Sequence, residues 1–168
     1  TSRFLKIFPE AKFICILRDY RDNFVSMRKL ADLKLEAPIL PLQVYRWKYV
    51  VRHFLKCREK YPDRVKIIRY EDLVTKQQEM IPELCQYLGI PFEPSVFDFH
   101  RKQEETIKTY NNPLIERFHG SLMKPINTGR MELFKKEMTE EEIPLADAIA
   151  GRYAVMFHYQ QSRGGVTV

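Results

Sequence analysis

Arg18 and Ser26 lie eight residues apart, with Asp19, Arg21 and Asp22 between them. An apolar run, residues 13–17, stops at Arg18, and a helical pattern follows. A guanidinium supplies a planar fork that matches phosphate oxygens, and a hydroxyl adds one further donor. A helix start contributes free N–H groups and the positive end of a dipole. Ligands of open α/β sheets bind beyond the carboxyl ends of the strands, where Arg18 stands. These residues therefore suit a phosphate. A plainer reading stays open beside it, in which Arg18 pairs with Asp22 and merely ends the strand. Asp19 and Asp22 read as orienters and helix caps rather than as bases.

Two other stretches carry chemistry. "RYEDLV", residues 69–74, places Tyr70 at the same strand edge as Arg18. An aromatic ring there can stack on a purine, or it can be a packed tyrosine with a satisfied hydroxyl. Glu71 and Asp72 are an acid/base pair or, more plainly, caps of the next segment. "HGSLMKPINTGR", residues 119–130, is basic and rich in hydroxyls. Lys124 and Arg130 add charge, and Ser121, Asn127 and Thr128 add donors, as in a loop that closes over a phosphate.

The elements that must position these residues follow from pattern. "KFICIL" does not alternate and reads as a strand buried on both faces. Asp22 can cap a helix over 23–33. A long amphipathic helix spans 42–60, with Val44, Trp47, Val51, Phe54 and Leu55 as its apolar stripe. "YPDR" is a turn and "VKIIRY" a second strand. Thr75 with Gln78 forms a capping box for a helix to about residue 88, ended by Gly89 and Pro91, with Pro82 as a kink or late start. Residues 91–135 read as irregular. Thr139 with Glu142 is a second capping box, for a helix to about residue 158. Strand, helix, helix, strand, helix makes an α/β domain with parallel strands and right-handed crossovers. Two parallel strands do not stand alone, so strands are expected to be missing on the N-terminal side.

The chain has 168 residues, enough for one domain with a core. Its net charge of +6 is uneven. Residues 1–60 hold 14 Lys/Arg and 6 Asp/Glu, whereas the rest hold 14 and 16. A basic half fits an anionic partner or a solvated face. No zinc-finger, basic-zipper or RNP-like pattern supports nucleic acid. Cys15, Cys57 and Cys85 lack metal or disulfide spacing and read as buried thiols, which leans towards a reducing compartment. No apolar run approaches the ~18 residues of a membrane span.

"FPEAKFICILRDYRDNFVSM", "IIRYEDLVTKQQEMIPELCQYLGIPF" and "LMKPINTGRMELFKKEMTEEE", in this order, resemble the PAPS-dependent sulfotransferases. The late loop is similar to the tyrosylprotein branch of that family. The resemblance implies a P-loop-NTPase-like three-layer α/β sandwich with a parallel sheet, and makes residues 1–168 the C-terminal part of the domain. It implies sulfuryl transfer from PAPS to a hydroxyl or amine on a small molecule, carbohydrate or protein side chain, with no metal. Arg18 and Ser26 would bind the 3′-phosphate of PAPS or its product PAP, and Tyr70 the adenine. His119, Ser121, Lys124, Asn127 and Arg130 would belong to a loop over the nucleotide.

The family's phosphosulfate loop precedes the first motif. No glycine occurs before Gly89, so that loop and its N-terminal strand are expected to be absent from this chain, and no catalytic base is assigned. Tyr20 stands where proline is usual, leaving a looser turn. Phe134 replaces a usual tryptophan and Leu133 a usual basic residue, a loss that Arg130 could offset. Rival readings are a PAP-holding module without catalysis and a P-loop kinase, the latter disfavoured because GxxxxGK[ST] is missing. The resemblance implies a cytoplasmic protein, or a Golgi-lumenal one behind an anchor. An oligomer remains open.

Overall fold

The computed structural model describes residues 2–31, 39–99 and 125–161. They fall into two compact units, one made of Thr1–Leu73 with Gly129–Val168 and the other of Val74–Thr128.

The first unit is built on a parallel pair of strands, β1 (Phe13–Leu17) and β2 (Val65–Arg69), in the register Phe13↔Val65 to Leu17↔Arg69. Their β-branched and aromatic content suits a pleated surface. Around them lie α1 (Ser2–Ile7), α2 (Tyr20–Ala31), α3 (Leu40–Lys60) and α4 (Tyr70–Thr75). Late in the chain come α6 (Phe134–Glu137), α7 (Glu142–Ala150) and α8 (Arg152–Met156). α3 carries the predicted apolar stripe. Leu40, Val44, Trp47 and Val51 are buried, and the helix packs against α2, β2 and α7. The main core joins that stripe to Leu17, Tyr20, Phe24, Phe134, Ala146, Ile149 and Tyr153. A smaller core gathers Leu5, Cys15, Cys57 and Val65. Burial, with help from Cys57, pushes the Cys15 thiol up to about 11, so it stays protonated and inert at neutral pH. The expectation of buried thiols holds for Cys15 and Cys57, while Cys85 is only partly buried.

Several expectations change. β1 is not covered on both faces among the described residues, since Ile16 is 53% exposed. α2 starts at Tyr20, three residues before the predicted start, because Asp19 rather than Asp22 caps it. The Asp19 carboxylate accepts the Arg21 N–H at 2.8 Å, and its carbonyl accepts the Asn23 N–H. The second capping box forms as predicted, with Thr139 and Glu142 each accepting the other's backbone N–H. The helix it opens does not reach residue 158, because Gly151 adopts φ 52° and ψ −137° and splits it into α7 and α8. Only glycine occupies that backbone region readily.

The second unit contains α5 (Gln77–Leu88) and a 3₁₀ turn, Pro94–Asp98. The first capping box does not open α5. Thr75 ends α4, and Lys76 stands at the cap position without a side-chain cap bond. α5 runs through Pro82 and closes at Gly89, which takes φ 76° as the sequence predicts. No described helix is long and apolar enough to cross a membrane.

Candidate functional site

The carboxyl ends of β1 and β2 lie side by side, so Arg18 and Tyr70, each one residue past its strand, become neighbours. The Arg18 guanidinium lies 5.1 Å from the centre of the Tyr70 ring. Trp47, expected in the core, is buried there, and its indole N–H donates to the Arg18 carbonyl at 2.9 Å. That bond fixes the backbone from which Arg18 departs. Glu71 ties the two strand ends together, accepting the Asp19 N–H at 2.9 Å and the Tyr159 hydroxyl at 3.1 Å. Glu71 thus acts as a clamp. Burial, then the Glu71 charge, push the Tyr159 phenol upward, so it remains a neutral donor.

Beneath this edge lies a closed polar network. Arg21 donates to both Asp19 oxygens at 3.0 and 2.7 Å, to Asp147 at 3.4 Å and to the Gln160 carbonyl at 2.8 Å. Burial pulls the Arg21 pKa down, but its bonds and charge pairing with Asp19 outweigh that, and the net shift is upward. The Tyr20 hydroxyl donates to Asp147, and the ring packs 5.2 Å from that of Trp47. Burial and the bond to Asp147 push the Tyr20 phenol far up. The turn at Tyr20 is therefore not loose. Its packing holds what a proline would hold by covalent geometry.

The late segment is fastened by Asp22. Its two oxygens accept the backbone N–H groups of Glu132 at 2.7 Å and Phe134 at 3.0 Å. Burial raises the Asp22 pKa, and those two bonds oppose the rise. Phe134 is buried, with the Arg21 guanidinium 3.9 Å from its ring centre, so the smaller aromatic still fills a core position. Leu133 packs against the same core. Asp22, whose two oxygens each accept a backbone N–H, holds Arg18 by a 4.0 Å ion pair. The plainer reading, in which Arg18 pairs with Asp22 and ends the strand, is met by that ion pair, at a length that leaves the guanidinium other partners. One terminal nitrogen of Arg18 donates to the Arg130 carbonyl. Among the described residues the buried Nε of Arg18, like that of Arg69, has no hydrogen-bond partner.

Two clefts open around this edge. The larger, about 520 Å³, has carboxylates and cations mixed in its wall, among them Asp19, Asp22, Glu71, Arg69 and Lys135. The smaller, about 310 Å³, runs between the end of β1, α2 and α3. It includes Arg18, Asn23, Gln43 and Arg46, over a wall of Trp47, Val50 and Phe54, with no acidic residue among the described ones in its lining. An anion is therefore favoured in the smaller cleft and opposed in the larger. Among the described residues no cluster of His, Cys, Asp or Glu could hold a metal ion.

The predicted site residues are distributed as follows. Arg18 and Tyr70 come together. Ser26 is half-buried on α2, one turn beyond Asp22 and two turns into the helix, so the helix start and Ser26 are not one cradle. The start itself is capped by Asp19. Arg130 reaches Arg18 through its carbonyl, while its side chain is exposed. Asn127 belongs to the second unit, where its amide donates to the Pro125 carbonyl at 3.2 Å. His119, Ser121 and Lys124 lie outside the described residues. Sequence reasoning missed Glu71 as a clamp and Asp147 as the network's centre, for different reasons. Glu71 follows the strand-end aromatic directly and could have been suspected, whereas Asp147 sits in an ordinary helical pattern.

A family profile described as Sulfotransferase family matches residues 2–94. The "Protein-tyrosine sulfotransferase" of Drosophila melanogaster is 27% identical over 136 residues, covering 77% of this chain and 26% of that protein. The "Protein-tyrosine sulfotransferase 1" of Danio rerio is 27% identical over 128 residues, covering 73% of this chain and 35% of that protein. The chain thus spans about a quarter to a third of the length of these curated relatives.

Proposed function

This chain belongs to the sulfotransferase family, and from that premise we propose that it supplies the 3′-phosphoadenosine half of a site that transfers a sulfuryl group from PAPS. The names of the two relatives extend the proposal to the acceptor, a tyrosine hydroxyl of a protein. The same reading takes the α/β unit as the C-terminal part of a P-loop-NTPase-like three-layer sandwich. The observation that carries it is Arg18, whose buried Nε, beside the Tyr70 ring, lacks a hydrogen-bond partner among the described residues. A buried guanidinium nitrogen without an acceptor is costly, and a phosphate oxygen would relieve it.

In the proposed reaction the acceptor oxygen attacks sulfur, the bond from sulfur to the 5′-phosphate oxygen breaks, and PAP leaves. A base takes the acceptor proton, and cationic donors hold the charge that moves onto the leaving group. Arg18 binds and orients the 3′-phosphate, remote from the breaking bond. Tyr70 holds the base, and Trp47 and Glu71 keep the two strand ends where these side chains need them. Binding energy from such a remote group positions the reacting centre.

Calorimetry with PAP, and with ribose 3′,5′-bisphosphate lacking adenine, tests the assignment. Arg18→Ala should weaken both ligands by about 2–3 kcal/mol, the scale of a charge-assisted contact. Tyr70→Ala should weaken PAP alone. Unchanged PAP affinity in Arg18→Ala would sink the proposal, and equal losses for both ligands in Tyr70→Ala would make Tyr70 a packing residue.

A further inference from the structure

We infer that Arg46, on α3, is a second cation of the 3′-phosphate site, facing the same anion as Arg18 across the smaller cleft. The inference rests on the nucleotide reading above and adds a residue that neither the motifs nor the strand-end argument singled out.

Three observations carry it. The first is placement, since Arg46 and Arg18 line one cleft of about 310 Å³. The second is charge. Among the described residues no acidic side chain lines that cleft, and no ion pair engages Arg46. Arg21, Arg28 and Arg69, by contrast, each face a carboxylate. Two like charges sharing a small cleft repel each other, and an anion between them reverses that cost. The third is the wall. Trp47, Val50 and Phe54 form an apolar side to the cleft, which keeps water away from one flank and strengthens a charge-assisted contact. Asn23 and Gln43 add neutral amide donors. Arg46 lies one residue before Trp47, whose indole grips the Arg18 carbonyl. The packed indole therefore fixes the helix register that brings Arg46 to the cleft.

The bulk of Arg46 is exposed, so its removal should not unfold the protein. The test titrates the purified protein with PAP and with adenosine 5′-phosphate, which has the same base and ribose but no 3′-phosphate. Arg46→Gln should weaken PAP about fivefold to tenfold, leave adenosine 5′-phosphate unchanged, and flatten the salt dependence of PAP binding. Arg46→Lys should recover part of the loss. Arg52→Gln removes another exposed α3 arginine that does not line the cleft, and should change neither ligand. Unchanged PAP affinity in Arg46→Gln, with a large loss in Arg18→Ala, would overturn this inference alone. Unchanged affinity in both variants would overturn the nucleotide reading with it. Equal losses for the two nucleotides, or an equal loss in Arg52→Gln, would show a general field of α3 rather than contact with the 3′-phosphate.

Discussion

Arg18 and Arg21 are three residues apart, and the molecule treats them in opposite ways. Arg21 is 4% exposed and its nitrogens are committed to Asp19, Asp147 and the Gln160 carbonyl. Among the described residues Arg18 has one backbone acceptor, a 4.0 Å ion pair with Asp22 and a buried nitrogen without a hydrogen-bond partner. The difference has a local origin. Asp19 caps α2 and turns its second oxygen to Arg21, and Asp22 spends both oxygens on the late segment's backbone. Asp19 is thereby withdrawn from Arg18, and Asp22 holds it only by the 4.0 Å ion pair. A satisfied arginine holds a fold together, and an underused one at a strand end is available to a ligand.

The comparison predicts that the two arginines separate stability from binding. Arg21→Ala leaves Asp19 and Asp147 buried without their cation, and loss of one member of a buried pair costs about 3–5 kcal/mol. Denaturant unfolding should register that loss, while Arg18→Ala should unfold within about 1 kcal/mol of the parent. An Arg21→Ala protein as stable as the parent would break the distinction at its strongest point.

Asp22 sits on the boundary between the two roles. Asp22→Asn keeps the shape but offers one carbonyl where two oxygens were used, and turns an amide donor towards a backbone N–H. One N–H, of Glu132 or Phe134, is left without its acceptor, at about 1–3 kcal/mol. The sign with pH follows from the raised carboxyl. A folded pKa above the unfolded one gives stability that is full below the unfolded value and fades as pH rises through the folded one. The asparagine variant lacks that slope, so its deficit should narrow from about pH 4 towards pH 7. Melts across that range check it, and a deficit that widens would mean that the two N–H bonds outweigh burial.

Much of this was legible in the sequence, and what was not has physical reasons. Strands, α3 and the second capping box are written in local pattern, and they appeared where that pattern put them. Arg18 and Tyr70 were legible because both follow a strand directly, and parallel register does the rest. The start of α2 was misjudged because Asp19 and Asp22 are equally good caps, and only the partner of each decides between them. Thr75 with Gln78 had the letters of a capping box but fell at the end of α4. The role of Asp22 required knowing that residues 132–134 return to α2 across more than a hundred positions, which no local signal encodes. Arg46 carries no local signal, because a cleft is a property of three elements together.

The smallest predicted effect sharpens the comparison most. Ser26 stands one helical turn from Asp22 on the same side of α2. It is too deep in the helix to bring free N–H groups with it, since those belong to the first turn. It can offer a phosphate only a neutral hydroxyl, and the Asp22 carboxylate one turn away disfavours an anion at that side. Ser26→Ala should therefore weaken PAP by only about 0.5–1.5 kcal/mol, the range of an ordinary hydrogen bond. Its stability should move the other way, rising by a few tenths to about 0.5 kcal/mol, because alanine is the better helix former in a helix interior. Arg18→Ala predicts a large binding loss with little change in unfolding, Arg21→Ala the reverse, and Ser26→Ala small effects of opposite sign. Paired PAP titrations and denaturant melts on the three variants read all of this at once. A Ser26→Ala loss as large as that of Arg18→Ala would mean that the hydroxyl, not the guanidinium, anchors the 3′-phosphate, and the contrast between the two arginines would no longer explain the site.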